Sequence, residues 1–349
     1  MINWIFVAVI ALVLSLLFRW SFKTLPGERW QIVCAVPTRK TSAGTWQGTN
    51  FTYYGVFNAL ALCAAVTLML VLAGSAGIEF GVLAVVIGCL LTGCLPAAKV
   101  IARWVEKKPC TFSVGAAVFV GIVLGPWMLM LVDVVAVRLF AISFAPMPVL
   151  TAALVGYALG EGVGRLACIS FGCCYGRPMA RMPPWAQRYF AWVAFTYTGA
   201  TKKVAYAHKL EGQRIFAVQA VTAVLYCTGA LAGALLYLYG AFTWAFFLCL
   251  TITQGWRFCS EFFRADFRGD RKISAYQIMS LLAIPYGAFI VAVFPSSGSS
   301  ADLLAGLGMI WDPAVILFLQ VLGLIMFLRT GRSQVTGANL SFHVHFNRV

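Results

Sequence analysis

Nine stretches of about twenty residues, each apolar enough to lie in hydrocarbon, leave this chain few ways to fold. They cover approximately 1–18, 51–73, 80–98, 110–132, 147–170, 215–239, 241–262, 274–294 and 312–328. Backbone groups in a bilayer must bond within a helix or around a closed barrel. The long apolar runs lack the alternation of barrel strands. The expected fold is therefore all-α: a polytopic membrane helical bundle of about nine transmembrane helices with a short interfacial loop region. Composition agrees, because only 11% of the 349 residues are charged, against about a quarter in soluble domains. The first run lacks the basic start and small-residue cleavage site of a signal peptide and is expected to stay as an anchor helix.

Three parts follow. Residues 1–50 make an anchor helix and an extended or hairpin segment around LPGERWQIVCAVP. Residues 51–294 form a seven-helix core, in which 171–214 is an interfacial loop whose aromatic run RYFAWVAFTYTGATKKVAY suggests a short amphipathic element. Residues 295–349 add a Ser/Gly-rich loop over 295–311, a last helix, and a polar tail whose SFHVHFNRV alternates like an edge strand or is disordered.

The net charge of +15 has a location. Of 26 Lys and Arg residues, 23 fall in 19–50, 99–109, 171–214, 263–273 and after 328, which alternating spans place on one side of the membrane. The positive-inside rule makes that side cytoplasmic. Such a face also attracts anionic phospholipid, at about 1 kcal/mol per basic residue. A nucleic-acid partner is not expected.

Charges inside the spans are few and paired. Glu161 and Arg165 lie at i, i+4 in LVGYALGEGVGRLACISFGCCYG, and Arg257 and Glu261 at i, i+4 in TQGWRFCSEFFR. Ionisable groups in hydrocarbon cost several kcal/mol and face a bundle interior, so two pairs mark a polar centre. The bland reading is a pair of structural ion pairs. Arg177 at the exit of the fifth span and Arg264 and Arg268 at the exit of the seventh turn that centre into a candidate phosphate clamp, since guanidinium forks match phosphate oxygens. The eleven cysteines form no disulfide framework; several free thiols on one face favour a reducing compartment. Cys63, Cys89, Cys94, Cys227 and Cys249 read as small core residues. Cys168, Cys173 and Cys174 do not have a common zinc spacing, and no metal or cofactor is expected.

The stretch GRLACISFGCCYGRP at 164–178 resembles the signature of the prolipoprotein diacylglyceryl transferase family, and RFCSEFFR at 257–264, followed by Ser274 and Gln277, resembles its second block. Tyr54-Gly55 is similar to the family's Tyr-Gly, and Gln219 to its glutamine before a long helix. The likeness covers roughly 51–294. It implies a transferase of the bacterial inner (plasma) membrane that moves the diacylglyceryl group of phosphatidylglycerol to a prolipoprotein cysteine, releasing glycerol phosphate. Arg165 and Arg257 would stabilise the leaving phosphate, with Glu261 orienting Arg257 and Glu161 orienting Arg165. Tyr54, Ser113, Arg177, Gln219, Arg264 and Gln277 would bind substrate.

The chain departs from the family where a histidine is usual. Phe112-Ser113-Val114-Gly115 stands for Phe-His-Gly-Gly, and Phe216-Ala217-Val218-Gln219 for His-Pro-Ser-Gln. Thr222 replaces a glutamate, and Cys168 and Cys173 or Cys174 replace an asparagine and a glutamate. His208, His343 and His345 all lie outside the spans. The departures bear on the acceptor and the base rather than on the lipid donor. Competing readings are a relative with a different acceptor, and a non-catalytic lipid-binding subunit. The latter would offer its terminal spans, aromatic loop and tail to membrane-protein partners. Resemblance places the arginine-bearing face outside the cytoplasm, opposite to the charge rule.

Overall fold

The computed structural model describes residues 1–41, 44–106, 114–140, 142–265, 273–294 and 301–349. Ser113, Cys110, Arg268, Arg271 and Lys272 lie outside them. The chain begins with α1 (Ile2–Thr24), then a hairpin of β1 (Ile32–Lys40) and β2 (Trp46–Thr52). Four long helices follow: α2 (Tyr53–Ser75), α3 (Phe80–Glu106), α4 (Val114–Phe140) and α5 (Pro146–Phe171). The connection to α8 holds α6 (Pro184–Phe190), β3 (Ala194–Thr196), α7 (Lys203–His208) and β4 (Arg214–Phe216). Then come α8 (Val218–Leu238), α9 (Phe242–Ser260), α10 (Ala275–Val293), the short α11 (Leu303–Met309), α12 (Pro313–Gly331) and β5 (Arg332–Leu340).

The molecule is a polytopic all-α bundle. Among the described residues, eight of the long helices are apolar enough to cross a membrane, all but α9. That helix carries Thr253, Gln254, Arg257 and Ser260, so its polarity reflects what it contributes to the interior. Apolar side chains such as Leu12, Leu16, Leu131, Leu317 and Leu324 lie exposed on the outer helices, the inverse of a water-soluble surface.

Helix α5 is the axis of the bundle, packed on α2, α8 and α9. Lipid tails are as apolar as leucine, so helices associate through close packing, which small residues permit. A Cβ at Gly156 or Gly160 would meet the Ala65 carbonyl at 2.5 Å or the Ala65 methyl at 2.6 Å on α2. One at Gly162 would meet Cys227 Sγ on α8 at 2.5 Å. Glycines at i and i+4 thus seat one face of α5 on α2, and Gly162 seats the other on α8.

The termini correct the expected organisation. Strand β5 pairs with β2, giving a three-stranded antiparallel sheet in the order β1-β2-β5. The strand therefore precedes SFHVHFNRV instead of lying in it. Gly55 on α2 makes this possible, since a Cβ there would lie 2.3 Å from Gly331 Cα at the end of α12. Helix α11 occupies part of the expected 295–311 loop, seated on α2 through Gly306. In place of one amphipathic element, the 171–214 segment holds two short helices and a β3–β4 ribbon.

This segment is stitched to the N-terminal linker. Gln31 Nε2 donates to the Thr201 carbonyl (2.7 Å), Thr201 Oγ1 donates to Gln31 Oε1 (2.8 Å), and Thr198 N–H donates to the Pro26 carbonyl (3.2 Å). Beneath them Lys202, fully buried, donates from Nζ to the Ser170 (2.6 Å) and Leu25 (3.1 Å) carbonyls, tying together the ends of α5 and α1. Burial lowers the Lys202 pKa to about 8, against a smaller raising influence of the Glu28 carboxylate. Because the folded state disfavours the charged amine, the unfolded chain binds more protons between about pH 8 and 10.4, so stability rises with pH in that window and is flat below it. The expected gain is at most about 3 kcal/mol. Thermal unfolding in detergent at pH 7 to 10 should show this rise in the wild type and a flatter profile in Lys202→Met. Coincident slopes would count against it.

Candidate functional site

Both intramembrane arginines converge on one carboxylate. Glu161 Oε1 accepts from Arg165 Nη2 on its own helix and from Arg257 Nη2 of α9 at 2.5 Å. Glu161 Oε2 accepts from the Tyr157 hydroxyl, which Arg257 Nη2 also approaches at 3.4 Å. Tyr157, Glu161 and Arg165 form a stripe at i, i+4, i+8 on α5. Tyr157 was legible in the sequence by that spacing but not singled out.

The expected Arg257–Glu261 pair is corrected. Helix α9 ends at Ser260 and Glu261–Phe263 tighten into a 3₁₀ turn, so Glu261 leaves the i, i+4 position below Arg257. Glu261 lies 4.0 Å from Arg264, and its Oε2 accepts from Ser274 Oγ at 3.4 Å. Glu161 consequently serves both buried arginines, and Glu261 is only loosely held.

Arg165, Arg257, Arg264 and Glu261 line a narrow cleft of about 20 Å³ with Cys174, Gln219, Thr222, Tyr226 and Ser260. Among the described residues, Arg165 and Arg257 share the Glu161 carboxylate behind the cleft, and Arg264 stands 4.0 Å from Glu261. The Nε atoms of Arg165 and Arg257 and Oε1 of Gln219 are buried without a hydrogen-bond partner. Both arginines also line the cleft, and guanidiniums there suit an anionic oxygen ligand. Trp256 Nε1 donates to Thr222 Oγ1 (2.8 Å) and Tyr226 OH to the Thr253 carbonyl (2.6 Å), tying α8 to α9 beside the cleft. Sequence reading passed over Tyr226 and Ser260, which only the pairing of these helices brings to the cleft.

The turn after α5 delivers the rest. Gly172, at φ 70°, caps the helix in the left-handed region, and Cys173 N–H donates back to the Cys168 carbonyl (3.0 Å). The chain then runs antiparallel to the exit of α9: Gly176 bridges Arg264, and Arg177 N–H donates to the Phe263 carbonyl (2.9 Å). A Cβ on Gly176 would lie 2.5 Å from the Phe216 carbonyl, which requires glycine there.

Other expected ligands find different roles. Arg177 is exposed, contributes its backbone to this ribbon, and is not among the cleft-lining residues. Gln219 reaches the cleft, but its Nε2 is engaged by the Cys173 carbonyl (2.8 Å) and the Tyr197 hydroxyl (3.0 Å). Gln277 completes a capping box with Ser274 and donates to the Phe258 carbonyl (3.2 Å), which joins α10 to α9 rather than lining the cleft. Tyr54 packs on Phe171, ring centroids 5.5 Å apart, beside the cysteine-bearing turn and away from the cleft. His208 is exposed and pairs through Nδ1 with the Tyr175 hydroxyl, also outside the cleft lining. Ser113 lies outside the described residues.

Fold and site together define a multi-pass helical membrane protein with a buried cationic cleft at its basic face. No protein-family model, curated protein or solved structure matches the chain.

Removing one partner of a buried ion pair costs about 3–5 kcal/mol. Glu161→Gln, which strips the counter-charge from two guanidiniums, should reach that range in detergent unfolding. Glu261→Gln should lose clearly less, since its ion pair is long and an amide still accepts from Ser274. Equal losses would refute the assignment of Glu161 as the shared counter-ion.

Proposed function

We propose that the cleft binds the phosphate of an anionic phospholipid and that the protein is a phosphatidylglycerol-dependent diacylglyceryl transferase of the bacterial inner membrane. The observation that carries this reading is the convergence of Arg165 and Arg257 on the single carboxylate of Glu161 at the cleft, two guanidiniums to one counter-charge, with the Nε of each left without a partner among the described residues. Likeness of the 164–178 and 257–264 segments to the diacylglyceryl transferase blocks supports the same reaction.

In that reaction an acceptor cysteine sulfur attacks the glyceryl carbon bearing the phosphoester. A carbon–sulfur bond forms, the carbon–oxygen bond breaks, and glycerol phosphate leaves with the bond's electron pair. Guanidiniums hydrogen-bonded to phosphate oxygens stabilise the charge that grows on the leaving group, and do so most strongly where water is scarce. The thiol proton needs an acceptor. Glu261 lines the cleft, where among the described residues it makes a 4.0 Å ion pair and a 3.4 Å hydrogen bond, and in this reading it takes the proton.

Arg165→Ala and Arg257→Ala should each lower phosphatidylglycerol-dependent lipidation of a lipobox peptide by roughly 10²–10³ in reconstituted vesicles. Arg138→Ala and Arg177→Ala, at exposed positions, should stay near wild type. Wild-type turnover by both buried-arginine variants would refute the catalytic reading. Retained phosphatidylglycerol adducts in native mass spectra without transfer by the wild type at any pH would leave a lipid-binding subunit instead.

The orientation is tested separately. Trp192, 85% exposed on the 171–214 segment, can be replaced by cysteine and probed in intact cells with a membrane-impermeant maleimide. Labelling before lysis is the outcome required for a substrate exported to the outer face. Protection until lysis would follow the positive-inside rule and exclude such a substrate.

A further inference from the structure

Three sulfurs that the sequence spaces unpromisingly are gathered into one place. Cys168 sits in the last turn of α5, and the left-handed cap at Gly172 folds the chain back so that Cys173 and Cys174 return over it. All three Sγ atoms lie within 4.8 Å of one another. Cys174 itself takes φ 55°, one of two side-chain-bearing residues with positive φ among those described. That conformation costs roughly 1–2 kcal/mol, and such strain collects at functional sites. Its effect here is to direct two adjacent cysteines toward a common point, which consecutive residues do not ordinarily share.

We propose that Cys168, Cys173 and Cys174 form a trithiolate site for a thiophilic d¹⁰ metal ion of the Zn(II) or Cu(I) type. Metal–sulfur bonds of about 2.3 Å set ligand sulfurs about 3.8 Å apart in a tetrahedral site and about 4.0 Å apart in a trigonal one. The cluster is therefore within about 1 Å of coordinating distance, a change that side-chain rotation supplies. The backbone is already held: Gln219 Nε2 bonds the Cys173 carbonyl, and Lys202 Nζ bonds the Ser170 carbonyl two residues before the cap. Three thiolates and a mono- or divalent ion carry net negative charge, and Arg165 lies close enough to Cys168 to act on it electrostatically. Cys174 also lines the cleft, so the ion would sit behind its wall and share Arg165 with it. Binding displaces the thiol protons to solvent and involves no oxidation.

This inference does not depend on lipid transfer, and its readout is binding. The protein in detergent, reduced and handled anaerobically, is titrated with Cd(II) and followed by thiolate-to-metal charge-transfer absorption. One equivalent should bind to the wild type. Cys168→Ser, Cys173→Ser and Cys174→Ser should each weaken it by at least about tenfold. Replacement of the exposed Cys34 and Cys89 by serine should leave it unchanged. Zn(II) or Cu(I) should displace the bound Cd(II). As a control against misfolded variants, Cd(II) should protect Cys173 and Cys174 of the wild type from maleimide. The proposal is overturned if the band is absent, if it persists when all three cysteines are replaced, if neither ion competes, or if mass spectrometry of the anaerobically prepared protein shows these cysteines joined as a disulfide.

Discussion

A carboxylate in the interior of a membrane bundle must be neutralised where it stands, and the arrangement around Glu161 depends on that requirement. The residue is buried and holds two guanidiniums and a tyrosine hydroxyl on its two oxygens. One of those partners comes from α9, nearly a hundred residues later in the chain, so the electrostatic demand dictates which helices stand together. Breaking either ion pair would leave a guanidinium without its counter-charge in a medium that cannot solvate it. Close approach is what small residues allow: Gly156 and Gly160 bring α2 against one side of α5, and Gly162 brings α8 against the other. Polar centre and glycine faces therefore lie on the same helix and reinforce one another.

The basic face forms a second layer of constraint. Segments that sequence alone leaves as separate loops are joined there by hydrogen bonds from Gln31, Thr201 and Lys202 and by the sheet that pairs the amino-terminal hairpin with β5. Because the ends of α1, α5 and α8 and the exit of α9 are all fastened at this level, the turn Gly172–Arg177 has little freedom. Through the Gly176–Arg264 bridge it holds Arg264 beside the cysteines, and it contributes Cys174 to the cleft lining. On the proposed reading such fastening preorganises the cleft, which is the condition under which guanidiniums act most strongly on developing charge. The same fastening positions the three thiols, so cleft and sulfur cluster are two products of one turn.

Much of the architecture was legible in the sequence for a simple physical reason. Span length and apolarity are local properties, and lipid tolerates only internally bonded backbone, so the run of long helices and the all-α class follow from the residues themselves. The hairpin before α2 was equally local. That Arg165 and Arg257 belong to one polar centre was also readable, since isolated charges in hydrocarbon demand partners. What could not be read is which partner each one takes. Spacing of i, i+4 suggested Arg257 with Glu261, but that inference assumes an unbroken helix, and the chain tightens into a 3₁₀ turn one residue too early. Gln277 looked like a ligand and is a helix cap, and Arg177 looked like a clamp and supplies only backbone, because both outcomes depend on neighbours distant in sequence.

The sequence by itself determined the class of protein, the number and order of the long helices, and the presence of buried charge. Each of these depends on the cost of placing a given residue in hydrocarbon, whatever surrounds it. Tertiary structure decided that Glu161 serves two arginines, that Glu261 is only loosely held at the cleft, and that β5 returns to pair with the amino-terminal hairpin. It also decided that Cys168, Cys173 and Cys174 meet, since their spacing matches no common metal motif and only the left-handed turn at Gly172 reverses the chain over the helix end. Long-range pairing is set by which surfaces can approach closely, and that is a property of packed helices together rather than of any one segment.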